Sequence, residues 1–99
     1  MAVKVLIKRT LKDGSLKAAY QLLVNARSGA MKQPGYISSE NLSSIDDSNL
    51  IVVASMWQKL EDWERWKNSD TRVENERRFF EILVKPTEYE RYETGIALM

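Results

Sequence analysis

Residues 50–83 read LIVVASMWQKLEDWERWKNSDTRVENERRFFEIL, and the fold turns on how this stretch is divided. Leu50 to Trp57 is almost continuously apolar, as expected of a central strand buried on both faces. The period then changes. Lys59 to Asn68 has helical spacing, with Leu60 and Trp63 three apart on one face and Trp66 at its margin. Glu61 stands four residues before Arg65, a pair worth about 0.2–0.5 kcal/mol on a helix. Asn68-Ser69-Asp70-Thr71 interrupts the pattern. Thr71-Arg72-Val73-Glu74 has capping-box spacing, so a second helix is expected to start there. Val73, Glu76, Phe80 and Leu83 then recur on one face, Glu74 can pair with Arg78, and Pro86 ends the helix. All three tryptophans of the chain fall within ten consecutive positions. Trp57 and Trp63 read as core, given the area each ring buries. Trp66, at the margin with one side free, is the tryptophan available to a ligand.

Outward from this stretch the chain alternates strand and helix. Val3 to Arg9 places Val3, Val5 and Ile7 on one face and Lys4, Leu6 and Lys8 on the other, a strand with one well-buried face. Lys12 to Ser15 is a turn. Leu16 to Lys32 is a helix whose expected inner face is Leu16, Ala19, Tyr20, Leu23 and Ala26. Pro34-Gly35 stops it. Tyr36 to Leu42 is a polar strand, and residues 45–49 form a turn before the apolar strand, which suggests an antiparallel hairpin. Glu88 to Glu93 alternates as a last strand, with Tyr89 and Tyr92 on opposite sides. The tail Ile96 to Met99 is expected either to pack on a partner or to fray. The order is an α+β, ferredoxin-like βαββαβ unit with an antiparallel sheet, its second helix broken. Helices cover one sheet face. The other still carries apolar side chains, and covering it with a second copy predicts a homodimer through the sheet faces.

At 99 residues the chain is expected to form a single domain over residues 1–99. With 15 basic and 14 acidic side chains, interspersed, it has no basic stripe for nucleic acid. No cysteine and no histidine are present. Thiolate nucleophiles, disulfides, cysteine metal sites, histidine acid–base catalysis and imidazole-ligated haem or metal are therefore excluded. No apolar run is long enough for a signal peptide or membrane span, so a cytoplasmic protein without membrane attachment is expected.

The succession of elements, together with VVASMWQKLEDWERWKNSD and the Pro34-Gly35-Tyr36 opening of the second strand, resembles the antibiotic biosynthesis monooxygenase domain. This is a dimeric α+β barrel group that includes haem-degrading and quinol monooxygenases. The resemblance runs from Val3 to about Tyr92. Haem-degrading members use an Asn on the first strand, a Trp on the second helix and a haem-ligating His ten residues later. Trp66 matches the tryptophan, but Glu76 stands at the histidine position and Ile7 at the asparagine position, which argues against haem degradation. Other members resemble oxygenases that need no cofactor, in which a deprotonated phenol or quinol supplies electrons to oxygen. The resemblance thus implies a small aromatic substrate and no cofactor or metal. Trp66 would stack on the ring, and Arg72 or Arg65 would stabilise its anion. Glu76, with a carboxyl raised by a dry cleft, would take the proton, and Tyr36 would donate a hydrogen bond. Each has a structural counterpart: Trp66 as packing, Glu76 as half of an ion pair, and Arg65 and Arg72 as solvated helix charges. The rival to an enzyme is a non-catalytic ligand-binding or stress-associated dimer on the same scaffold.

Overall fold

The computed structural model describes residues 1–95. The tail Ile96 to Met99, for which packing or fraying was expected, lies outside the described residues. Strand β1 (Val3–Thr10) leads to helix α1 (Leu16–Ala30), then β2 (Tyr36–Ser43), β3 (Leu50–Trp57), α2 (Leu60–Lys67), α3 (Asp70–Phe80) and β4 (Glu88–Glu93). The sheet runs β2-β3-β1-β4 with every neighbouring pair antiparallel. This is the expected α+β ferredoxin-like order, with the second helix broken in two. No helix among the described residues is long and apolar enough to cross a membrane.

The break between α2 and α3 is made by Ser69 rather than by a capping box at Thr71. Ser69 is extended (φ −69°, ψ 149°), and its Oγ accepts from the amide of Arg72 while donating to the carbonyl of Trp66 at 2.8 Å. One hydroxyl thus serves both helix ends, and Thr71 falls inside the first turn. On the surface Arg65 pairs with Asp62 at 3.2 Å in place of the expected Glu61. The expected Glu74–Arg78 pair forms at 3.8 Å.

Register decides which side chains meet the helices. Val3, Val5, Ile7 and Arg9 stand opposite Trp57, Ser55, Val53 and Ile51, and all four β1 residues are buried. The opposite face of β3 (Leu50, Val52, Met56) is only half-buried, Ala54 alone being fully so. The strand expected to be buried on both faces is therefore more fully covered on the helix side, where Ile51, Ser55 and Trp57 are buried and Val53 is half-buried. Two apolar clusters fill the space between sheet and helices. One holds Val3, Val5, Ile7, Ala30 and all three tryptophans. The other holds Leu11, Ala19, Leu23, Ile51, Phe79 and Leu83.

Two helix faces differ from expectation. Leu16 and Tyr20 of α1 are 61% and 67% exposed, and the buried stripe runs through Ala19, Leu23 and Ala30. In α3 the buried residues are Arg72 and Phe79, whereas Val73 and Phe80 are exposed. Spacing alone permits either face of α3. The charged one wins because each charge finds a partner inside, as described next.

Candidate functional site

Arg9 is the seam between the two clusters. On β1 it follows Ile7 of the first cluster and precedes Leu11 of the second, on the same face, and it is 2% exposed. An unpaired buried guanidinium would cost several kcal/mol, roughly, so its partners matter. One terminal N–H donates to Glu76 Oε2 at 2.8 Å, and the guanidinium lies 4.0 Å over the Phe79 ring. Its Nε–H is buried without a hydrogen-bond partner among the described residues.

Helix α3 supplies the rest of this polar layer, because Arg72, Glu76 and Phe79 share its inner face at spacings of four and three. Arg72 lies 3.8 Å from the same Glu76 oxygen, donates to the Tyr89 hydroxyl at 2.9 Å, and sits 5.2 Å over the Trp63 ring. The other oxygen of Glu76 accepts from the Thr87 hydroxyl. Burial pushes the Glu76 carboxyl up. The Arg9 charge and hydrogen bond, the Thr87 hydrogen bond and the Arg72 charge outweigh it and hold the group below its ordinary value. The raised carboxyl expected of a proton acceptor is thus corrected. Glu76 is an ionised counter-ion with both oxygens occupied.

Strand β2 contributes through a bulge. Tyr36 pairs with Trp57 and Ser38 with Met56, so Ile37 is the extra residue. Without it Tyr36 and Ser38 would share a face; with it Tyr36 joins Ser39 and Asn41 on the helix side. The Tyr36 hydroxyl and Ser39 Oγ lie 2.8 Å apart, and the Tyr36 ring meets Trp57 edge-on at 5.5 Å.

Between α1, α3 and the sheet these side chains enclose a chamber of about 30 Å³, room for a water or two. Its polar wall is Arg9, Arg27, Tyr36, Ser39, Asn41, Ser55 and Arg72, with Ile7 and Val53 on the sheet side and Leu23 on the α1 side. Leu23, Asn41 and Val53 also border a neighbouring apolar cleft of about 260 Å³ beside Leu16, Tyr20 and Ile51. A wider hollow of about 520 Å³ near Met1 and Lys59 is walled by exposed side chains apart from Val3, so it offers no buried polar group to orient a ligand.

Of the five residues singled out by sequence, Tyr36 and Arg72 line the chamber. Glu76 stands behind its wall, bound to Arg9. Trp66 is outside it. The ring is 4% exposed and packs beneath α1, where a Cβ at Gly29 would fall 2.5 Å from Trp66 Cη2, so neither ring face is open as expected. Arg65 points to solvent, its side chain 58% exposed, because α2 turns that face outward. Sequence reasoning missed Arg9, Arg27, Ser39, Asn41 and Ser55. For Arg9 the signal was present: the alternation Val3, Val5, Ile7 continues onto it.

Among curated proteins none matches the chain. The family model described as antibiotic biosynthesis monooxygenase matches residues 2–74. Among solved structures, a conserved protein from Methanosarcina mazei Go1 superposes with a TM-score of 0.89 at 19% identity, covering 96% of this chain and 94% of that one. Rv0793 from Mycobacterium tuberculosis gives 0.86 at 14% identity over 100% of both chains. SnoaB, a cofactor-independent oxygenase from Streptomyces nogalater, gives 0.84 at 14% identity, covering 98% of this chain and 96% of that one. At such identities the likeness concerns the fold.

Proposed function

The chain belongs to the antibiotic biosynthesis monooxygenase family, and from that premise we propose that it is a cofactor-independent monooxygenase of a small phenol or quinol, acting as a homodimer. The observation that carries the reading is the cationic chamber between helices and sheet. Arg9, Arg27 and Arg72 line it, and no carboxylate does among the described residues.

Such a wall favours the anion of a bound phenol over the neutral form, lowering its pKa without any side-chain base. The ionised substrate then supplies the electrons for reaction with oxygen, and the protein holds and orients the ring. The substrate oxygen occupies the chamber beside Arg72 and the Tyr36 hydroxyl. The ring lies in the apolar cleft reached past Leu23, since the chamber itself admits only water-sized groups. Glu76 keeps Arg9 and Arg72 in place. Trp66 supports α1, the roof of the chamber.

Oxygen uptake with a panel of quinols and polyphenols tests this. Wild-type protein is expected to turn over at least one of them. Arg72→Met is expected to lower kcat/KM by about a hundredfold, the scale of losing one preorganised charge on a developing anion. Trp66→Ala is expected to act mainly through stability. Absence of turnover across the panel would favour the second reading, a non-catalytic ligand-binding or stress-associated dimer. One observation speaks for that reading: among the described residues the chamber wall carries no free proton acceptor of the carboxylate or imidazole kind.

A further inference from the structure

We propose that the chamber selects ligands that carry a negative charge before they bind, with an apolar or aromatic monocarboxylate as the preferred class, and that the Arg9 guanidinium is its specificity-determining group. The inference rests on the chamber being the ligand site, as proposed above, but not on turnover.

Charge is the first ground. Arg9, Arg27 and Arg72 line the chamber, and among the described residues the single counter-charge in contact with Arg9 and Arg72 is Glu76, which both share from behind the wall. One carboxylate against two buried guanidiniums leaves a net positive charge in a site of low dielectric, where a ligand anion is worth most. The second ground is the buried guanidinium itself. Arg9 is 2% exposed, lines the chamber, and has one terminal N–H group committed to Glu76. A guanidinium carries five N–H donors in a planar fork, so one hydrogen bond does not exhaust it.

Size and polarity decide the class. A chamber of about 30 Å³ fits a carboxylate group and excludes a ring, while the adjoining cleft of about 260 Å³, with Leu16, Tyr20, Leu23 and Ile51 on its sides, fits an apolar body. A carboxylate brings two acceptor oxygens to a wall with several donors, and guanidinium groups match that geometry better than a single phenolate oxygen does. It is also fully ionised at neutral pH, whereas a free phenol, with a pKa of about 10, is not.

Benzoate and benzamide form a matched probe pair differing in charge but hardly in shape. Titration of the folded protein, followed by calorimetry, is expected to show benzoate binding at least about tenfold tighter. Arg9→Met should abolish that preference, with folding checked by circular dichroism. Arg9→Lys keeps the charge but not the planar guanidinium fork that matches a carboxylate, and should reduce the preference. If Arg9→Met does not fold, Arg9→Lys and Glu76→Gln carry the test. Glu76→Gln removes the competing anion, and should tighten benzoate binding severalfold although it destabilises the fold. A merely structural role for these residues predicts weaker binding in every variant. Equal affinity for benzoate and benzamide, no binding of either, a preference unchanged in both Arg9 variants, or weaker benzoate binding in Glu76→Gln would each overturn the inference. No oxygen uptake with benzoate selectivity intact would remove the monooxygenase reading and leave this one standing. Turnover of neutral quinols without that selectivity would do the reverse.

Discussion

Glu76 shows how little a residue's type says about its task until its neighbours are known. A carboxylate on the inner face of a helix beside a cleft suggests a base. Two arginines and the Thr87 hydroxyl make it a counter-ion instead. Its carboxyl is lowered from 4.5, burial opposing the change and the Arg9, Thr87 and Arg72 contacts outweighing burial. In the unfolded chain the group protonates near the ordinary value, so just below it the unfolded state binds more protons than the native one. The stabilisation from Glu76 is therefore complete above about pH 4.5 and is lost as pH falls through the lowered value. Glu76→Gln is expected to cost about 3 kcal/mol at neutral pH, since Arg9 stays buried with its charge unmatched. It is also expected to flatten the acid limb of the stability curve. Thermal melts of both proteins from neutral to acid pH check this. An acid limb as steep in the variant as in wild type would mean that other carboxylates set it.

At the scale of elements, what the sequence made legible was the arrangement carried by apolar period. The succession of elements and the broken second helix follow from where apolar residues recur, and the Pro34-Gly35 stop from the backbone chemistry of proline and glycine. The polar layer was not legible in the same way. Spacing assigned the inner face to Val73, Glu76, Phe80 and Leu83; Val73 and Phe80 are exposed, because the true inner face of α3 is Arg72 and Glu76 with Phe79. A buried charge reads as a surface charge until its partner, here Arg9 on another element 67 positions away from Glu76, is located. The bulge at Ile37 was hidden too, since no residue in β2 announces it, yet it aims Tyr36 at the chamber. Close approaches between elements give a direct test of this packing. Gly29→Ala gains about 1 kcal/mol of helix propensity. Its methyl would meet Trp66 Cη2 at 2.5 Å, overpacking that costs about 1–3 kcal/mol, so net destabilisation is expected. Gly35→Ala should be worse. Gly35 has φ +82°, and a Cβ there lies 2.7 Å from the Cβ of Asp62 on α2. Gly14→Ala carries a similar φ of +78° with nothing within 4 Å, and isolates the backbone term. Urea unfolding should rank Gly35→Ala as more damaging than Gly14→Ala. The reverse order would show that α2 does not hold the Gly35 turn.

At the scale of the molecule, the chamber uses only one face of the sheet. On the other, the register lines up Leu6 with Ala54, Lys8 with Val52 and Leu42, and Lys4 with Met56 and Tyr92. Leu42 and Tyr92 are 46% and 52% exposed in the single chain. Lys4 and Lys8 are interleaved with Glu40, Glu88 and Glu90 on this same face. An apolar strip bordered by both signs of charge is self-complementary about a two-fold axis, because each lysine of one copy can meet a glutamate of the other. A second copy would cover the half-buried side of β3 without touching the helix-side chamber, while Leu42 and Val52 of the strip also border the neighbouring cleft. Val52 sits in the middle strand pair beside Lys8 and Leu42, which makes Val52→Lys the most economical disruption: it brings extra ammonium groups into the strip from both copies. Light scattering is expected to give wild-type protein twice the 11.5 kDa chain mass, and Val52→Lys the mass of one chain at the same concentration. A wild-type protein that stays monomeric at high concentration would remove the sheet-face dimer and leave the apolar strip to be explained by some other partner.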